Sequence, residues 1–201
     1  MNGICEALDT PINPINPTPT ILAVETLGAD SLSASLSANT LTTLPAITSA
    51  ATSLGCARVT DRTFKYGLRP NVRSVVLSDA EAAMGCWRLA DDERVMVELA
   101  CGVNVALCYD GRLEQALGRP VRKEECVVVV LCGGSNVDVG MLGRWREEYG
   151  GVVEEAVEKE KERRDSAYTS QEGSPRVAAK GEMEGMQVIE GIEVGELEVV
   201  S

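Results

Sequence analysis

The chain has 201 residues, 44% of them hydrophobic and 3% aromatic, and its 31 acidic against 19 basic residues give a formal charge of −12. That length holds one ordinary domain, or a domain with a tail, around a core of Val, Leu, Ala and Met. An acidic chain without a large Lys/Arg cluster argues against nucleic acid and anionic lipid as partners, and the absence of histidine removes Ser-His-Asp triads, Cys-His pairs and HExxH zinc sites.

No apolar run approaches the ~20 residues of a membrane-spanning helix. Residues 1–13 carry neither a basic n-region nor an apolar h-region, so the chain reads as soluble and cytoplasmic. Seven cysteines form an odd set without CxxC spacing. Cys101, Cys108, Cys126 and Cys132 stand inside apolar runs as small hydrophobes, and all seven are expected to be reduced.

In chain order, residues 8–19 (LDTPINPINPTP) form a proline-rich loop, because each ring fixes φ and biases the preceding residue away from helix. Ile21 to Val24 suits a buried strand, and Glu25 to Ser31 turns it into a small-residue helix at about 32–39. Pro45 can open a helix reaching Ser53, Gly55 stands where a left-handed cap is wanted, and a short strand is expected near Cys56 to Val59. Ser74 to Leu77 reads as a strand, after which Ser78-Asp79-Ala80-Glu81 matches a capping box opening a helix to about Ala90. Leu99 to Leu117 is mostly helical, with a turn signal at Asp110-Gly111 that could split it and a stop at Gly118-Arg119-Pro120.

Cys126 to Cys132 is apolar on both faces and β-branched, and it is expected to be a central parallel strand. Gly133-Gly134-Ser135-Asn136 then leads into a helix from about Val137 to Tyr149, ended by Gly150-Gly151. Glu154 to Arg164 has the charge pattern of a solvated helix, 165–185 the composition of disorder, and Met186 to Val200 a weak strand alternation. The expected organisation is an N-terminal segment and loop over 1–19, an α/β domain over 20–150, and an acidic helical and disordered tail over 151–201.

Residues 127–136 (VVVVLCGGSN) are the strongest chemical feature, since an apolar strand running into a glycine turn and a helix builds the crevice where α/β sheets bind ligands. The same glycines also suit a plain tight turn. Cys132 would face that crevice or the core, and no basic partner is visible to make it a nucleophile. Glu25 is either an exposed loop carboxylate or part of an oxygen cage for a hard cation.

Five ordered segments resemble the second half of the L-serine/L-threonine dehydratases (L-serine ammonia-lyases), which are fold-type-II pyridoxal-phosphate enzymes. They are residues 21–31 (ILAVETLGADS), 44–49 (LPAITS) with 53–55 (SLG), 76–81 (VLSDAE), 97–102 (VELACG) and 130–136 (VLCGGSN). Asn2-Gly3-Ile4 resembles the residues that follow the family's phosphate-binding glycine loop. The resemblance covers about residues 20–150 and implies an α/β fold, part of the large domain of such an enzyme, with a mostly parallel sheet flanked by helices.

It also implies that Cys132 hydrogen-bonds the cofactor's pyridine nitrogen as a neutral partner, with Gly133 beside it and Ser53 against the ring, where the family often has alanine. It implies a monovalent-cation (potassium) site formed by Glu25, Ala29, Ser31, Leu54 and Cys56, mostly through carbonyl oxygens. Serine and threonine are the implied substrates, β-elimination to pyruvate or 2-oxobutanoate plus ammonia the implied reaction, and a homodimer an allowed assembly. The family's Schiff-base lysine lies in an S-F-K type motif upstream of the Glu25 segment. Here the look-alike Thr63-Phe64-Lys65 falls after that segment, and the glycine-rich phosphate loop is absent. The implied protein is therefore a truncated lyase or, alternatively, an inactive remnant or partner-binding scaffold, with sheet edges and apolar faces left open.

Overall fold

Two of the apolar runs become strands, β1 (Ile21–Thr26) and β2 (Val72–Leu77), paired in parallel from Ile21 opposite Val72 to Thr26 opposite Leu77. The structure is a computed structural model that describes residues 1–10 and 18–172. Among these the helices are α1 (Asn2–Leu8), α2 (Ser31–Ser37), α3 (Asp61–Gly67), α4 (Asp79–Glu93), α5 (Leu99–Ala106), α6 (Arg112–Leu117) and α7 (Val139–Glu172), with a 3-10 turn at Thr52–Leu54. Residues Met1–Arg163 form one compact unit and Arg164–Ser201 another. No helix among the described residues is long and apolar enough to cross a membrane.

Side chains alternate across a pleated strand. Leu22, Val24, Val75 and Leu77 accordingly share the face that packs on the α4–α5 cluster, with Cys86, Leu89, Val97, Leu99, Val103 and Val105 at its centre. The opposite face of β2 is covered by α2 and α3. The pairing of α4 with α5 is close because Gly85 and Gly102 bring the two backbones together: a Cβ on Gly85 would lie 2.1 Å from the Gly102 carbonyl oxygen.

Ser78 caps α4 as expected, its Oγ accepting the Glu81 N–H while the Glu81 carboxylate accepts the Ser78 N–H. Such a cap contributes about 1 kcal/mol. Glu81 also pairs with Arg112 of α6 at 2.7 Å. The Asp110-Gly111 signal does divide the helical stretch, both residues taking positive φ (56° and 68°) between α5 and α6, and Gly118 closes α6 at φ +62°. From β2, Arg73 donates to the last carbonyls of α6, those of Ala116 and Leu117, where a cation meets the negative helix end.

Several expectations are corrected. Residues 45–53 do not form a helix beyond the 3-10 turn, because the groups that a helix would use are bound elsewhere. Thr48 N–H donates to the Gly28 carbonyl and Ala50 N–H to Asp79 Oδ2 at 2.8 Å, while Ser49 Oγ also donates to Asp79, at 2.5 Å. Gly55 has φ −66°, not a left-handed cap, and residues 56–59 form no strand. They lead into α3, whose start is fixed by Thr60 Oγ1 accepting the Thr63 N–H.

Cys126–Cys132 forms no strand either. A strand needs a neighbouring strand to complete its hydrogen-bond ladder, and among the described residues this segment pairs with neither β1 nor β2, its bonds running instead to Asn104 and Cys101 of α5. Val127, Val128 and Val130 are accordingly 44%, 81% and 48% exposed. Gly150-Gly151 lies inside α7 and does not end it. The helix continues beyond residue 165, where disorder was expected, to Glu172; the strand expected at Met186 to Val200 lies outside the described residues, as does most of the proline-rich loop (11–17).

Candidate functional site

The site lies where the strip carrying Cys132 and Gly133 meets the N-terminus of α5. Three contacts tie that strip to the helix. Asn104 Nδ2 donates to the Val130 carbonyl at 3.4 Å, the Cys132 N–H to Cys101 Sγ at 3.2 Å, and the Glu98 N–H to the Gly133 carbonyl at 3.2 Å. Gly133 has φ +88° with nothing within 4 Å of a Cβ position, and Gly134 presses on Glu98, where a Cβ would come within 2.6 Å of the Glu98 Cβ. Glycine is required at 134 for close approach and favoured at 133 by conformation.

Ser53 arrives from the 3-10 turn and donates to Glu98 Oε2 at 3.0 Å. The structure thus brings Ser53 and Gly133, both proposed from sequence, together on Glu98, which the sequence did not single out, and sets Cys132 beside them on Cys101. Glu98 is the N-cap of α5 and holds both segments, one with its side chain and one with its backbone. Its signal in the sequence was only its place just before Leu99, at the head of an apolar helix.

Cys132 is exposed, so of the two positions open to it, crevice or core, it does not take the core, and Cys126 and Cys108, expected as small hydrophobes in apolar runs, are exposed too. All seven cysteines are free thiols. Cys101 and Cys86 are buried; burial pushes the Cys101 thiol up and the Cys86 thiol up to about 12, so both are protonated at neutral pH.

The five cation-site candidates fall on two segments. Glu25, at the end of β1, points both carboxylate oxygens at the first turn of α2, accepting from Leu32 N–H at 2.9 Å and Ser33 N–H at 2.8 Å. Burial raises its pKa, and those two hydrogen bonds oppose the rise. Ala29 and Ser31 are buried in the same turn, where the Ser31 carbonyl accepts from Ser35 Oγ at 2.7 Å. Leu54 and Cys56 lie on the neighbouring loop, the Leu54 carbonyl accepting the Cys56 N–H at 2.6 Å. Among the described residues no three His, Cys, Asp or Glu side chains form a metal cage. Carbonyl oxygens with Glu25 are therefore the available donors, and several already carry internal bonds.

For a pyridoxal phosphate the residues fit at one end. An exposed thiol at Cys132 and the open backbone at Gly133 leave room for a flat ring edge, and a Cβ-free backbone permits close contact. Lys65 ends α3 as a C-terminal cation and lies on a helix packed against α1, α2 and β2.

The model of the pyridoxal-phosphate dependent enzyme family matches residues 1–133. The chain is 45% identical over 124 residues to a rat (Rattus norvegicus) serine dehydratase-like protein, covering 61% of this chain and 38% of the relative. It is 42% identical over 125 residues to the rat L-serine dehydratase/L-threonine deaminase, covering 61% and 34%. Its structure matches that of a fungal L-serine ammonia-lyase from Rhizomucor miehei with a TM-score of 0.60 and 30% identity, covering 65% of this chain and 41% of that one. The chain thus spans 34–38% of the length of these two curated relatives. With the family model matched over residues 1–133, the chain belongs to the family of pyridoxal-phosphate dependent enzymes.

Proposed function

We propose that the chain is the C-terminal portion of an L-serine/L-threonine ammonia-lyase, carrying the ring-facing part of its cofactor site. One observation carries the reading: Ser53 and the Cys132–Gly133 pair, far apart in sequence, meet at the start of α5, Ser53 and Gly133 on Glu98 and Cys132 on Cys101. When bound, pyridoxal phosphate supplies the electron sink for β-elimination, releasing pyruvate from serine or 2-oxobutanoate from threonine, plus ammonia.

In this reading the Cys132 thiol donates to the pyridine nitrogen as a neutral partner, Gly133 lets the backbone approach the ring, and Ser53, oriented by Glu98, lies against the ring face. Glu25, Ala29, Ser31, Leu54 and Cys56 surround a potassium-type cation, with Glu25 as the one charged donor. The cofactor-bearing lysine is assigned to none of this chain's residues. A homodimer is the proposed assembly, the cytoplasm the proposed compartment, and amino-acid catabolism the proposed setting. The domain limits proposed are 1–19, 20–150 and 151–201.

The test joins these residues, in frame, to a lyase N-terminal half that carries an S-F-K type lysine and a glycine-rich phosphate loop. The joined protein, loaded with cofactor in a potassium buffer, should form 2-oxo acid from L-serine and L-threonine. A folded, cofactor-loaded product that forms none refutes the reading. A second reading, a partner-binding scaffold without activity, is favoured by the exposed Val127, Val128 and Val130. It predicts stable capture of a lyase N-terminal half supplied as a separate chain, with no turnover.

A further inference from the structure

At the site the sulfur of one free cysteine, Cys101, lies against the backbone of another, Cys132. The Cys101 sulfur, buried in the first turn of α5, accepts the Cys132 N–H at 3.2 Å, which puts the Cys132 Cα no more than about 4.7 Å from that sulfur. In a disulfide the path from one Cα through its own Cβ and sulfur to the partner sulfur spans about 4–4.5 Å, so the Cys132 backbone lies within reach of a bond to Cys101 once its side chain rotates about the Cα–Cβ bond. The two thiols differ in access, Cys132 being exposed and Cys101 only 4% exposed. Burial holds the Cys101 thiol above its ordinary pKa, and the N–H groups of Cys132 and Gly133 at its sulfur offset that rise only in part.

We propose that Cys101 and Cys132 are a peroxide-sensitive redox pair, whose disulfide withdraws the Cys132 thiol from the position facing the cofactor ring. Hydrogen peroxide oxidises the accessible Cys132 thiol to the sulfenic acid, its O–O bond breaking and one water leaving. The Cys101 sulfur then attacks the Cys132 sulfur, its proton goes to the departing hydroxide, and a second water leaves as the S–S bond forms. Two electrons pass from the two thiols to one peroxide, and a dithiol reductant reverses the change. The redox pair stands on the cysteine geometry alone; only its effect on cofactor binding rests on the proposed function.

The experiment treats the 201-residue chain with equimolar hydrogen peroxide, blocks remaining thiols with iodoacetamide and maps peptides without reduction. The expected product is a Cys101–Cys132 cross-linked peptide, lost on treatment with dithiothreitol. A Cys86–Cys101 cross-link as the main product, or Cys132 driven to sulfinic acid with Cys101 still a thiol, overturns the proposal. Cys101→Ala should convert Cys132 into a site of sulfenic and sulfinic acid. The exposed Cys132→Ser variant, which keeps the core intact, should leave Cys101 unoxidised, and an undiminished disulfide at Cys101 in that variant overturns the pairing. In the protein joined to a lyase N-terminal half, pyridoxal phosphate titrated by fluorescence should bind the reduced form at least tenfold more tightly than the oxidised one. Equal binding to both forms refutes the effect on the cofactor, and binding to neither refutes the cofactor reading while the peptide map still decides the pair.

Discussion

Replacing Gly85 by alanine tests whether the α4–α5 contact is set by backbone approach. In a free helix this change stabilises by about 0.8–1.0 kcal/mol, because alanine loses less conformational entropy. Here the new methyl would meet the Gly102 carbonyl oxygen at 2.1 Å and the Ala106 nitrogen at 3.0 Å, backbone atoms that cannot rotate away. Forcing a methyl into such packing costs about 1–3 kcal/mol, and more where the backbone itself must move, so the net expectation is a loss of about 1–2 kcal/mol. For a unit of this size that corresponds to a Tm lower by about 2–8 °C. Gly143→Ala is the internal control: it also lies in a helix, but nothing is within 4 Å of its Cβ position, and it should raise Tm by about 2–4 °C. Thermal melts followed by circular dichroism at low protein concentration measure both. A Gly85→Ala protein that melts at or above the parent temperature refutes the close-approach argument, and the control excludes a generic effect of alanine.

Ser78→Ala removes the side-chain half of the α4 capping box and should cost about 1 kcal/mol in urea unfolding, with little change in m. Glu25→Gln should alter the pH dependence of stability. The folded Glu25 pKa is raised above its ordinary 4.5, so the wild type loses stability as pH rises through the interval just above 4.5, and the difference between the two proteins should move in favour of glutamine there. A difference that moves the other way would mean that the two α2 N–H bonds outweigh burial. Val128→Lys places a charge on the most exposed residue of the apolar strip and should reduce concentration-dependent light scattering while leaving Tm within about 1 °C, since the strip is unpaired; unchanged scattering would clear the strip as the source of association.

What could be read ahead of the structure was whatever is settled within a few residues. The Ser78/Glu81 box, the Asp110-Gly111 break and the apolar cores of β1 and β2 are local devices, and each appears where its spacing put it. The Thr60-Asp61 start of α3 was equally local, an N-cap followed by an acidic first turn, and could have been found by the same rule that found Ser78. Cys126–Cys132 shows the opposite case. Its valines specify burial on both faces, yet a strand exists only if another strand accepts its hydrogen bonds, and no property of the segment itself supplies that partner. Pro45–Ser53 fails for a related reason, since Gly28 and Asp79, both distant in sequence, take up the Thr48 and Ala50 N–H groups that a helix would have paired internally. Glu98 completes the pattern. A glutamate before an apolar helix is unremarkable in a sequence, and only the folded chain gives it Ser53 on its carboxylate and Gly133 on its N–H. The individual candidates at the site were therefore visible as residue types, whereas the residue that assembles them was not, because its role consists entirely of contacts made across the chain.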